Sequence, residues 1–95
     1  MGIVGFQILI QIQHENRQEF FQSHHMLRQQ GQLLPDCEFG RLFEDAHLPD
    51  HFLWLERWTD ADALERYMAS DKFRVMMGAI EALGSLQELK KLRYD

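Results

Sequence analysis

Between Phe52 and Phe73 the chain reads FLWLERWTDADALERYMASDKF, a strand that ends in Glu56-Arg57-Trp58 and turns at once into a helix. Period-two alternation puts Phe52, Trp54, Glu56 and Trp58 on one side of that strand, and Leu53, Leu55 and Arg57 on the other. A helix that follows so closely must fold back over one of these faces. The indole of Trp58 then stands where strand meets helix, at the mouth of any cleft between them.

The rest of the chain supplies matching elements. Residues 3–13 alternate, with Val4, Phe6, Ile8, Ile10 and Ile12 on one face and Ile3, Gly5, Gln7, Leu9, Gln11 and Gln13 on the other. Asn16 followed by Glu19 has the form of a capping box. Phe20, Phe21, His24, Leu27 and Arg28 then recur at helical spacing, and Gly31 is suited to ending that helix. Pro35 and Asp36 read as loop. Cys37 to Glu44 alternates as a strand, with Cys37, Phe39, Arg41 and Phe43 on one face, and a polar link containing Pro49 joins it to the strand from His51 to Trp58 as a hairpin. Thr59 or Asp60 caps the second helical region. Its apolar stripe (Leu64, Tyr67, Met68) falls out of phase with the next (Phe73, Met76, Met77, Ile80, Leu83), and Ser70-Asp71 lies in the gap, so a kink or a fresh N-cap is expected there. Gly84 closes this region and Leu86 to Tyr94 reads as the last strand. The order β-α-β-β-α-β predicts one domain over residues 1–95, a ferredoxin-like α+β sandwich with an antiparallel sheet and both helices on one face.

Such a sheet leaves its other face open, and here both sides of the strand from His51 to Trp58 are apolar. An exposed patch of that kind marks a partner surface, so a homodimer with two sheets face to face is expected. The net charge of −5 argues against nucleic acid, which needs clustered Lys and Arg. A single cysteine, Cys37, allows no intramolecular disulfide and fits a reducing cytoplasm. No apolar run approaches the ~18 residues of a membrane helix, and no signal peptide is evident.

The ordered set Pro35, Cys37, Glu56, Trp58, Leu64, Ser70 and Phe73, carried by FGRLFED, FLWLERW and ALERYMASDKFRVMMGAIEAL, resembles the antibiotic biosynthesis monooxygenase family. The resemblance implies a ferredoxin-like subunit that dimerises through its sheet into an α+β barrel. It also implies oxygenation of electron-rich aromatics such as quinols and anthrones, without metal or flavin. The chain departs from the family pattern at Asp36, where glycine is usual, and at Tyr67, where a helix histidine is common. Haem-degrading relatives carry their axial histidine at the position held here by Met77, beside Met76, so haem binding in that mode is not expected.

The chemistry implied needs a water-poor pocket that holds a ring, removes a proton and stabilises the anion. Trp58, Tyr67 and Glu56 are the candidate catalytic residues: an indole that stacks and donates, a phenol that donates or accepts, and a carboxylate whose pKa burial would raise. Each has a plain reading too, as core indole, helix-face aromatic or half of an ion pair. Phe20, His24, Phe52, Trp54, Phe73 and Met77 are candidate substrate contacts, with His24 equally suited to being a half-buried core histidine. His47 and His51, separated by Pro49, do not share a helix face as a zinc pair would, and no metal site or cofactor is expected. The leading expectation is a cofactor-independent monooxygenase acting with O2 on a small aromatic or quinol-like compound. The alternative is a non-catalytic dimeric module that binds an apolar small molecule or serves as a structural unit.

Overall fold

A computed structural model describes residues 3–31 and 34–94. The elements are β1 (Ile3–Ile12), a single 3-10 turn (His14–Asn16), α1 (Arg17–Gly31), β2 (Cys37–Glu44), β3 (His51–Trp58), α2 (Ala61–Met68), α3 (Asp71–Leu83) and β4 (Gly84–Tyr94). The sheet runs β2-β3-β1-β4 and every pairing is antiparallel. This is the ferredoxin-like order, with both crossovers helical.

The alternation of β1 and β3 sets the core. Val4, Phe6, Ile8, Ile10 and Ile12 of β1, and Phe52, Trp54, Glu56 and Trp58 of β3, are buried beneath the helices. Phe20 and Leu27 from α1, Leu64 and Tyr67 from α2, and Phe73, Met76, Ile80 and Leu83 from α3 close over them. The break in helical phase is a restart. Ser70 caps α3, its Oγ accepting from the Phe73 N–H at 3.3 Å, while Asp60 caps α2 by accepting from the Asp62 N–H at 2.9 Å.

Three local expectations are corrected. Asn16 does not open α1 with a capping box; its side-chain amide donates to the Leu83 carbonyl at 3.1 Å and ties the start of α1 to the end of α3. An irregularity between Cys37 and Phe39 leaves Glu38 outside the pairing. Cys37 therefore pairs with Trp58 and faces the helices, away from the face of Phe39, Arg41 and Phe43. The last strand begins at Gly84 rather than Leu86. Gly84 pairs with Ile12, and a Cβ there would run into the Gln11 carbonyl, so β4 leaves α3 without a loop. A second bulge skips Gln87, which is why the alternation of β4 is poor.

On the open face, Leu9, Leu53 and Leu55 remain only partly covered, and Phe43 is 48% exposed. Arg41 lies over the Phe39 ring at 4.6 Å. No helix among the described residues is long and apolar enough to cross a membrane.

Candidate functional site

The helix-facing side of β3 carries one ionisable group, Glu56, and it is fully buried. A carboxylate accepts only, so its burial demands donors. Both indoles of the chain supply them from the same strand face: Trp54 Nε1 donates to Oε2 at 2.9 Å and Trp58 Nε1 to Oε1 at 3.0 Å. Tyr67, from α2, donates its hydroxyl to Oε2 at 3.3 Å. From α1, Arg28 brings Nη1 to 3.1 Å from Oε2 as a buried ion pair. The same Nη1 donates to Cys37 Sγ at 3.6 Å.

These contacts set the charges. Burial pushes the Glu56 pKa up, opposed by the Arg28 charge and by the three donated hydrogen bonds. Burial works against the Arg28 charge, but Glu56 and Cys37 outweigh it and hold the guanidinium firmly protonated. The Tyr67 phenol is driven well above the usual tyrosine range, by burial first and then by the Glu56 charge. Tyr67 is thus a hydrogen-bond partner and not a standing phenolate. Burial also raises the Cys37 thiol, which holds it protonated at neutral pH.

Trp58 and Tyr67 stack at 4.8 Å with a tilt of 35°. The pair borders a chamber of about 620 Å³ also lined by Leu27, Pro35, Asp36, Ala63, Arg66 and Lys72; Tyr67 keeps 7% of its surface exposed, while Trp58 is fully buried behind the chamber wall. The Asp36 carbonyl accepts from the Thr59 N–H at 2.8 Å, which fastens the 35–36 turn beside the end of β3. No ion pair joins Arg66 or Lys72 to another described residue.

The structure thus brings Glu56, Trp58 and Tyr67 into direct contact. Trp54 joins them beneath the chamber through the same carboxylate. Phe73 packs against Tyr67 at 5.4 Å and against Trp54 at 5.7 Å. Phe20 and Phe52, 5.1 Å apart, lie further along the core. His24 meets Trp54 edge-on at 4.7 Å, its Nε2 is buried without a hydrogen-bond partner, and burial lowers its pKa to about 4. Met77 packs half-buried against the core. None of Phe20, His24, Phe52, Trp54, Phe73 or Met77 lines the chamber.

Sequence reasoning assigned no role to Arg28 or Gly40. Arg28 follows His24 by one turn on the buried face of α1. Gly40 pairs with Glu56 across β2 and β3, and a side chain there would collide with the Arg28 guanidinium. A glycine opposite a buried carboxylate was the available signal. Among the described residues no three His, Cys, Asp or Glu side chains converge as a metal site.

The sequence model of a family described as antibiotic biosynthesis monooxygenase matches residues 3–79. Solved structures share the fold. A conserved protein of unknown function from Bacteroides thetaiotaomicron, described as a possible oxidoreductase, superposes with a TM-score of 0.85 at 19% identity, covering 98% of each chain. SnoaB, a cofactor-independent oxygenase from Streptomyces nogalater, superposes with a TM-score of 0.81 at 21% identity, covering 97% of this chain and 92% of its own. A protein from Methanosarcina mazei gives 0.83 at 20% identity, covering 99% and 92%. Among curated proteins none matches.

Proposed function

The chain belongs to the antibiotic biosynthesis monooxygenase family, and on that premise we propose that it oxidises a small electron-rich aromatic with O2 in the chamber beside Trp58 and Tyr67. The observation that carries this reading is the stacked Trp58–Tyr67 pair, which lines the chamber and is hydrogen-bonded from behind to a buried carboxylate. The substrate ring lies in the chamber on the Tyr67 side of the pair, with the buried Trp58 indole backing Tyr67. Its hydroxyl meets the Tyr67 hydroxyl, which passes its own proton to Glu56 Oε2 as it accepts the substrate's. No tyrosinate forms, in keeping with the raised phenol pKa. Burial favours the neutral carboxyl that results, so Glu56 is a stronger base than an exposed glutamate. The substrate anion then reduces O2 directly and supplies all four electrons: it gains one oxygen atom and loses two hydrogens, ending at the quinone level, and those hydrogens leave with the other oxygen as water. A structural relative described as a cofactor-independent oxygenase supports a reaction needing no metal or flavin. The working unit is a homodimer through the open sheet face, where Leu9, Leu53, Leu55 and Phe43 are left uncovered. Light scattering that returns the mass of one chain at micromolar concentration would remove the dimer.

The test is oxygen uptake by metal-stripped protein over a panel of quinols and anthrones, against their spontaneous autoxidation. Uptake above background that falls by about a hundredfold or more in Tyr67→Phe and Glu56→Gln supports the relay. Equal uptake in folded variants and wild type excludes it. A second reading, a binding module without turnover, is favoured by one observation: the Trp54, Trp58 and Tyr67 donors are all engaged with Glu56. Ring binding by calorimetry with no uptake from any substrate would establish that reading.

A further inference from the structure

The chamber beside Trp58 has a neighbour. Leu27 and Lys72 line it and also line a second cavity of about 320 Å³, set between α1 and α3. The further walls of that second cavity are Met26, Val75, Met76 and Ala79, an apolar groove with Ser23 and Asp71 at its edges. Two of its side chains are large, apolar and turned to the surface: Met26 is 68% exposed and Val75 71%. Single exposed apolar residues are ordinary, but two that flank one groove beside the chamber form a patch. Lys72 is common to both linings and Arg66 lines the chamber, both cations without an ion pair to a described residue.

Resting on the reading of the Trp58–Tyr67 chamber as a ring site, we infer that the substrate is an amphipathic aromatic: a ring that bears, besides the hydroxyl that meets Tyr67, an anionic group and an aliphatic tail. The ring occupies the chamber, its anionic group lies between Arg66 and Lys72, and the tail crosses Leu27 into the groove of Met26, Val75 and Met76. A compact ring fills only the first cavity and leaves the second wet. An apolar tail removes that water and covers Met26 and Val75. Adjacency points to the occupant: Leu27 and Lys72 wall both cavities, so a substituent that leaves the chamber past them reaches the groove.

The test uses 2-hydroxy-1,4-naphthoquinone, an anionic ring already oxidised and so inert to O2, together with its 3-butyl and 3-octyl derivatives. Affinities are measured by calorimetry on the whole chain. The butyl compound is expected to bind about tenfold tighter than the bare ring, and the octyl compound tighter still. In Val75→Glu and Met26→Glu, both surface changes on helices, the ratio of tailed to bare affinity should collapse towards one. A wild-type ratio near one overturns the tail groove while leaving the ring chamber standing. A large ratio that survives both substitutions sends the tail elsewhere and also overturns it. Failure of all three compounds to bind overturns the chamber and the groove together. A change of mass by light scattering in either variant would assign the groove to a protein contact and overturn the inference.

Discussion

The Arg28 guanidinium occupies the space that a side chain at position 40 would fill, so Gly40 is the residue that lets a cation reach Glu56. One missing Cβ on β2 thereby permits a buried ion pair between α1 and β3. Gly40→Ala should displace the guanidinium and lower stability by roughly 1–2 kcal/mol, part of the ~3 kcal/mol that breaking such a pair costs. In an Arg28→Ala background the same change should be close to neutral, because nothing remains to be displaced. A double-mutant cycle by denaturant unfolding checks this; additive losses would mean that Gly40 serves the strand alone.

Removing the cation should also leave a pH signature. The folded pKa of Glu56 is raised, so its contribution to stability is fully present below the unfolded value of 4.5 and is lost as pH rises through the folded pKa. Without Arg28 that loss grows. The stability gap between wild type and Arg28→Ala, about 3 kcal/mol at neutral pH, should narrow as pH falls towards 4.5. Urea midpoints at a series of pH values provide the measurement.

His24 has the opposite dependence. Its pKa falls from 6.5 to about 4, through burial first and then the charge of Arg28. Its contribution is present above 6.5 and is lost as pH falls through 4, up to about 3 kcal/mol at about 1.4 kcal/mol per unit. His24→Leu also removes a buried Nε2 without a partner, so it should stabilise the fold by ~1 kcal/mol and flatten that acid limb. Thermal unfolding of both proteins between pH 7 and 4 settles the sign.

At the far end of the sheet, Arg17 bridges Glu44 and Asp50, with Nη1 at 2.6 Å from Glu44 and 2.7 Å from Asp50. The Arg17 hydrogen bond lowers the Glu44 carboxyl to about 2, aided by the Asp50 N–H. Both acids have depressed pKa values, so their contribution holds above pH 4.5 and fades as pH drops towards 2. A carboxyl-carbon NMR titration should find Glu44 near 2 in wild type and closer to 4.5 in Arg17→Gln.

The sequence made β1 and β3 legible because each has one face that must be buried, and period two then leaves little freedom. Ser70 was legible because a five-residue step from Met68 to Phe73 cannot continue one helical stripe. The bulges were not, since skipping Glu38 or Gln87 changes neither composition nor apolar count. Asn16 was misassigned because a capping signature is local, whereas its partner Leu83 is brought near only by the tertiary fold. Of the candidate site, the residues of one strand and one helix, Glu56, Trp58 and Tyr67, were readable together. Arg28 was not, because a charged residue on an amphipathic helix is ordinarily a solvated one, and its partner lies across a non-local pairing.

The chain has two tryptophans, and both donate to the same carboxylate. Its ultraviolet emission is therefore an intrinsic single-site reporter, with no bystander indole to dilute the signal. Proton arrival at Glu56 would perturb both fluorophores from the one carboxylate they share, while a ring in the chamber would quench Trp58 first because Trp54 does not line it. An unlabelled stopped-flow trace can separate ligand entry from proton transfer on that difference.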